Sequence, residues 1–295
     1  MHCSLTRISR RSISLYRHCH AVVRLAGVLA VTVCLLGGSA NAQGKLDALY
    51  VASLAGVPIG KGGWVIEVGD DQFSAAATGM TIGLLRVFAT GDGKGASRGA
   101  IRGDNLMPTL FVSTINNDKR VEELKIVMSA GNVKDLVVEP PTVPHPDRVP
   151  LTDAHRRGIV DPLSAAIIRV PGNGDPVAAE ACRRTLPVFD GRMRFDLQLS
   201  FKRIEKVQVK GYQGPVAVCG VQFVPVAGYV PDRPAIKYLA AQTDMEIWLA
   251  PIVGTRLVVP YKISLPTPLG RGVLEATQFV AAASPHPGAA TAAAH

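Results

Sequence analysis

Cys182-Arg183-Arg184-Thr185-Leu186-Pro187-Val188-Phe189, then Asp190-Gly191-Arg192, then Met193-Arg194-Phe195-Asp196-Leu197-Gln198-Leu199-Ser200-Phe201-Lys202 is the stretch on which the fold turns. Asp-Gly between two apolar-rich runs signals a hairpin, because a tight I′ turn needs positive φ at both central positions. Past the turn, Phe195, Leu197, Leu199 and Phe201 alternate with Arg194, Asp196, Gln198, Ser200 and Lys202, the period of a half-buried strand. The charges Asp190, Arg192, Arg194 and Asp196 form the candidate functional surface and are expected to pair across the hairpin. An exposed pair of that kind stabilises by only about 0–1 kcal/mol.

Working outward to the N-terminus, Arg7, Arg10, Arg11, Arg17 and Arg24 precede an apolar run from Leu25 to Leu36, with no acid among them. The run ends in Gly37-Gly38-Ser39-Ala40-Asn41-Ala42, with small residues one and three before a cut between Ala42 and Gln43. A basic start, a short apolar run and that ending predict a secretory signal peptide over residues 1–42. A span of the membrane needs roughly 20 apolar residues, more than the run supplies. Ser9-Arg10-Arg11 has the look of a twin-arginine signal, but Arg17 and Arg24 interrupt the residues after it. The general secretory route and a periplasmic location are therefore expected, with membrane contact only through the cleaved peptide.

Cleavage removes five basic residues and no acidic one, so the formal net charge falls from +9 to +4. Much of the high isoelectric point belongs to the targeting segment. Beyond it no basic run is longer than two and aromatics are sparse, which argues against nucleic-acid binding. Cys3, Cys19 and Cys34 leave with the signal, so Cys182 and Cys219 remain as one pair in an oxidising compartment. A redox dithiol would show C-x-x-C spacing, and these two do not; the bond is read as structural.

The rest of the chain reads as strand after strand. Leu46, Ala48, Tyr50, Ala52 and Leu54 share one face; Gly56 to Gly60 breaks the run, and Trp64 to Val68 and Gln72 to Thr78 come next. Leu84 to Phe88 is too short to assign. Gly91-Asp92-Gly93-Lys94-Gly95 lacks the spacing of a phosphate loop and is expected to be a hairpin tip. Val121 to Met128 and Val133 to Val138 are strands around Gly131-Asn132. Five prolines in 140–150 then enforce an extended crossover, which joins two halves of the β structure or passes from one sheet to another.

Thr152-Asp153 can cap a turn over Ala154 to Arg157, and Asp161-Pro162 starts a short helix over about 162–169, expected to be the only substantial one. Val216 to Val224 is apolar on both faces, as in a central strand, with Cys219 facing inward beside Val221 and Phe223. Met245 to Ala250, Leu257 to Leu265 and Val273 to Phe279 complete the set, Pro260 implying an edge or a bulge. Residues 281–295 are expected to be a disordered tail. The fold class is all-β: an antiparallel open barrel or β-spiral of about a dozen strands with one short central helix, in a single domain over 43–280.

Asp161-Pro162-Leu163-Ser164, Phe189-Asp190-Gly191-Arg192 with Phe195-Asp196-Leu197, and Met245-Glu246-Ile247-Trp248-Leu249 through Pro260-Tyr261-Lys262-Ile263, taken in that order, resemble an exported family of Gram-negative bacteria, the domain of unknown function 3108. The resemblance implies a periplasmic β protein similar to the β-spiral of envelope integrity proteins or the open barrels of lipoprotein carriers. The family brings no established reaction, so no catalytic residue is carried over.

The residues themselves give no catalytic, cofactor or metal set. His155 with Asp153 and Asp161 has the types of a base and its orienting acids, yet Ser164 lies in a helix without the strained turn that exposes an activated serine. Four histidines remain beyond residue 42, two of them in the tail, too scattered for a metal site. The expectation is a non-catalytic protein supporting the cell envelope through a protein or envelope partner. The alternative is a carrier of lipid or another apolar ligand inside the barrel, and an unrecognised hydrolase comes last. Whether the apolar interior is a cavity or a filled core stays open at this level.

Overall fold

Leu46, Ala48 and Tyr50 are buried while Lys45, Asp47 and Leu49 face outward, and that alternation makes a strand of the stretch after Gln43. The structure, a computed structural model, describes residues 43–83, 90–117 and 120–283. The expected signal peptide through Ala42, the Leu84–Phe88 run and the tail beyond 283 lie outside the described residues.

Among the described residues the strands are β1 (Gly44–Leu54), β2 (Val57–Val68), β3 (Gln72–Thr81), β4 (Gly91–Arg102), β5 (Asn105–Asn117), β6 (Arg120–Ser129) and β7 (Asn132–Glu139). After the crossover come β8 (Ile168–Arg169), β9 (Arg184–Phe189), β10 (Arg194–Val209), β11 (Tyr212–Ala227), β12 (Met245–Pro251), β13 (Leu257–Thr267) and β14 (Gly270–Ala283). They form one antiparallel sheet in the order β7-β6-β5-β4-β3-β2-β1-β14-β13-β12-β11-β10-β9, with the short β8 paired to β13. The first and last strands thus meet in the middle, and an N-terminal and a C-terminal arm run out from them.

The ladder stays open, because β7 and β9 do not pair. The gap is spanned by the chain after the proline crossover. Ile159 N donates to Gly131 O at the β6–β7 turn, while Val160 N donates to Pro187 O and Phe189 N to Val160 O on β9, each at 2.9 Å. Phe111, Ile126, Met128, Ile159 and Phe189 make a buried cluster there, so apolar packing joins the two arms. The 140–150 stretch therefore links the two arms of one sheet. Apolar contact needs no ladder to hold the two arms together, since burial needs no direction.

Helix α1 (Pro162–Ala165) is shorter than expected. Asp161 caps it, accepting from Leu163 N and Ser164 N at 3.0 Å each, and proline at the first position fixes the entry. The helical spacing of Leu163, Ala166, Ile167 and Val170 does not carry on, because Ile168 and Arg169 pair with Val258 and Leu257 of β13. A free strand edge outweighs weak helix propensity in a β-branched run. Nor is α1 the only helix: α2 (Pro234–Ala240) is longer, with Pro234 again at the first position.

Four further expectations are corrected. Gly91 to Gly95 is not a hairpin tip but the start of β4, paired with Ile115–Asn117 and neighbours on β5. The tail begins later than expected, since Ala281, Ala282 and Ala283 pair with Leu46, Lys45 and Gly44. Phe201 is 39% exposed, because a bulge between Phe201 and Arg203 breaks the alternation of β10. The Asp190-Gly191 hairpin forms, but through a four-residue loop with positive φ at Gly191 alone. Pro260 sits at a bulge, opposite Leu249. Cys182 and Cys219 are bonded and fully buried, their Cα atoms 5.4 Å apart, with Leu199, Ala217, Leu249 and Val258 around them.

Candidate functional site

Asp161 places α1 in the interior, and the space around α1 is hollow. Three apolar cavities of about 480, 380 and 300 Å³ adjoin one another there. The first two share Ala77, Thr78, Gly79 and Leu163, and the second and third share Ala166, Pro260 and Ile263. Gly62 and Gly79 face each other across β2 and β3, and a Cβ on Gly62 would fall 2.3 Å from Thr78 O. On β4, a Cβ at Gly95 would stand 3.5 Å from Leu163 Cδ1. These glycines keep part of the wall free of side chains, which is why a space persists where alternating large residues would fill it. Tyr50, whose hydroxyl donates to Pro260 O at 2.7 Å, and Trp64 line the middle cavity. The Trp64 Nε1 donor is buried with no acceptor among the described residues.

A larger hollow, about 760 Å³, is lined by Lys45, Glu67, Asp71, Arg98 and Arg102 among others and shares no residue with this trough. Size does not make it the better candidate. Its polar walls lack the apolar lining with a few polar groups that marks a small-molecule site.

Asp190 and Arg192 stand at one end of the trough, in the wall of the 480 Å³ cavity. The expected pairing across the hairpin does not occur. Asp190 Oδ1 accepts from Arg192 N and Met193 N at 2.8 and 2.6 Å, holding the loop, and burial pushes its carboxyl above the usual range. Arg192 reaches away to Pro140 O (3.1 Å), Thr142 Oγ1 (3.2 Å) and Glu122 Oε2 (3.5 Å), tying the loop to the crossover and to β6. Arg194 and Asp196 pair with each other along β10 at 2.7 Å and are mostly covered. Arg192 alone clasps the two arms; Asp190 holds its own loop, and Arg194 and Asp196 pair within one strand.

A second charged group lies on β10 and β12. Glu246 binds Arg203 at 3.0 and 3.3 Å and Lys202 at 2.9 Å, while Glu205 accepts from Trp248 Nε1 at 2.7 Å. The Arg203 bonds, with Lys202, hold the Glu246 carboxyl down to about 2. A depressed folded pKa stabilises fully above the ordinary value and is lost as pH falls through the folded one. The stability difference between the native protein and Glu246→Gln should therefore be constant above pH 5 and shrink between about pH 4.5 and 2. Thermal melts across that range check it; a gap that does not change would show that Glu246 gains nothing from its partners.

The remaining candidates do not gather. His155 Nδ1 accepts from Thr152 N at 3.1 Å in the turn Asp153–Arg156. Both oxygens of Asp161 are taken by Ser97, Ser164 and the α1 amides. Among the described residues no group of three or more His, Cys, Asp or Glu could hold a metal ion. Sequence reasoning missed the trough residues, although glycines at alternate positions (60, 62 and 91, 93, 95) are a legible sign of a strand face kept bare.

No curated protein matches the chain. Among solved structures it resembles a beta-barrel-like protein of the domain of unknown function DUF1849 from Brucella abortus, with 9% identity, a TM-score of 0.47, and coverage of 83% of this chain and 99% of that one. A family model matches residues 49–277, from the middle of β1 to the middle of β14. The chain accordingly belongs to the family described as protein of unknown function, DUF3108.

Proposed function

We propose that the protein is a non-catalytic, exported carrier for an apolar ligand with an acyl chain, working in the periplasm. One observation carries the reading: three confluent apolar cavities surround α1, each within the roughly 300–1,000 Å³ of small-molecule sites. The glycine-walled stretch supports it, because it leaves room that side chains would otherwise fill. The other reading, an envelope support that binds a protein partner, draws on Phe201 and Ile204, exposed at 39% and 45% on β10.

A dye that fluoresces in apolar surroundings should bind the native protein at one per chain and be displaced by fatty acid. Trp64 emission should shift to the blue as the acyl chain enters. Dye binding by the unfolded protein only would mean that the trough is closed in solution and would end the carrier reading. Native mass spectrometry of protein purified from its own periplasm separates the two readings. A bound lipid mass favours the carrier, and a bare mass favours the support.

A further inference from the structure

Next to the 480 Å³ apolar cavity, and sharing Glu122, Asp190 and Arg192 with it, lies a polar one of about 350 Å³. Four guanidinium groups line it, from Arg120, Arg148, Arg192 and Arg233, against the two carboxyls of Glu122 and Asp190. The charges do not cancel. Glu122 is shared by Arg120 and Arg192, and Asp190 commits Oδ1 to backbone amides. Arg148 donates to Gly228 O and Val143 O and has no carboxylate partner among the described residues, so its charge is not neutralised. The Arg233 guanidinium, at the start of α2, has no hydrogen bond or ion pair among the described residues. The cavity thus holds donors and positive charge in excess, and it opens on the apolar trough.

We propose that this arginine pocket takes the anionic headgroup, phosphate or carboxylate, of an amphiphile whose chain lies in the trough. The assignment rests on the carrier reading. Planar guanidinium groups suit the oxygens of such a headgroup, giving directional, charge-assisted bonds. Arg192 and Glu122, which line both cavities, form the sill between head and chain.

Calorimetric titration with three probes of one chain length tests this: lauryl phosphate, laurate and the neutral monolaurin, with inorganic phosphate as a fourth. The native protein should bind both anionic probes at least about tenfold tighter than monolaurin, as one charge-assisted bond at a partly exposed site implies. Arg233→Gln should lose most of that preference and leave monolaurin unchanged, and Arg233→Lys should restore part of it. Arg233 is exposed and holds no other side chain, so the variant should fold, which circular dichroism verifies. Equal affinity for all three probes would overturn the headgroup pocket and leave the carrier standing. No binding by any amphiphile would remove the carrier reading. Inorganic phosphate bound alone, and lost in Arg233→Gln, would make the pocket a free-anion site and overturn the headgroup assignment.

Discussion

Replacing Cys182 and Cys219 by serine should lower the melting temperature by about 10 °C. The bond separates its ends by 37 positions, and closing a loop of that size stabilises by about 4 kcal/mol in the chain-entropy account. For a domain of this size each kcal/mol moves the melting temperature by about 2–4 °C, and denatured-state structure trims the result. Each single variant should lose as much as the double, because either removes the same cross-link. Loosening should begin in the turn Ala179–Cys182, which the bond pins onto β11 beside Leu199 and Ala217. Amide exchange is the local readout: residues 177–183 should exchange faster in the variant while β1 and β14 stay protected. The direct check is intact mass after alkylation without reductant. Two labels on protein from an oxidising compartment would show free thiols, and unchanged melting would show that the bond adds no stability.

That bond was legible because the expected signal peptide takes the other three cysteines and leaves one pairing, and Cys219 shares a face with apolar neighbours. The strands were legible for a similar reason: alternation in β1 and β6 reports one buried face each, and no distant partner is needed to see it. What failed was local pattern overruled by distant partners. Nothing within 162–170 says that Ile168 and Arg169 will meet β13, some 90 positions on. Gly91 to Gly95 has the composition of a turn, and only Leu163 packed over Gly95 explains a bare strand face. Helix α2 was the avoidable miss, since Pro234-Ala235-Ile236-Lys237-Tyr238-Leu239-Ala240 carries its own start signal. The arginine pocket was not legible at all. Arg120, Arg148, Arg192 and Arg233 are scattered over more than a hundred positions, and the curl of the sheet brings them together.

Asp161→Ala should cost about 3 kcal/mol, or roughly 8 °C in melting temperature, although Asp161 touches no ligand cavity. The carboxyl is fully buried, as nearly are Ser97 of β4 and Ser164 of α1. Oδ1 serves the two α1 amides; Oδ2 lies 2.9 Å from the Ser97 hydroxyl and 2.6 Å from that of Ser164. The hydroxyls are 2.8 Å apart, so with one proton each they donate to Oδ2 directly or in relay. Alanine leaves two helix-end amides and one of the two hydroxyls short of an acceptor in a dry site, and the tie between β4 and α1 shrinks to the one bond between Ser97 and Ser164. Asp161→Asn should cost far less, because its oxygen still caps α1 and its NH₂ donates to the hydroxyls. Burial raises the Asp161 carboxyl above its ordinary value, more than its hydrogen bonds lower it. With a raised folded pKa, its contribution is complete below the ordinary value and is lost as pH rises through the folded one. The Asp161→Asn protein, having no such charge, should therefore gain on the native protein as pH climbs above about 4. Chemical denaturation of the three proteins at matched pH values measures this. A gap that moves the other way, the native protein gaining on Asp161→Asn as pH rises, would mean that the bonds to Ser97, Ser164 and the α1 amides outweigh burial. An alanine variant as stable as the native protein would mean that α1 is held by Leu163 and its apolar neighbours alone.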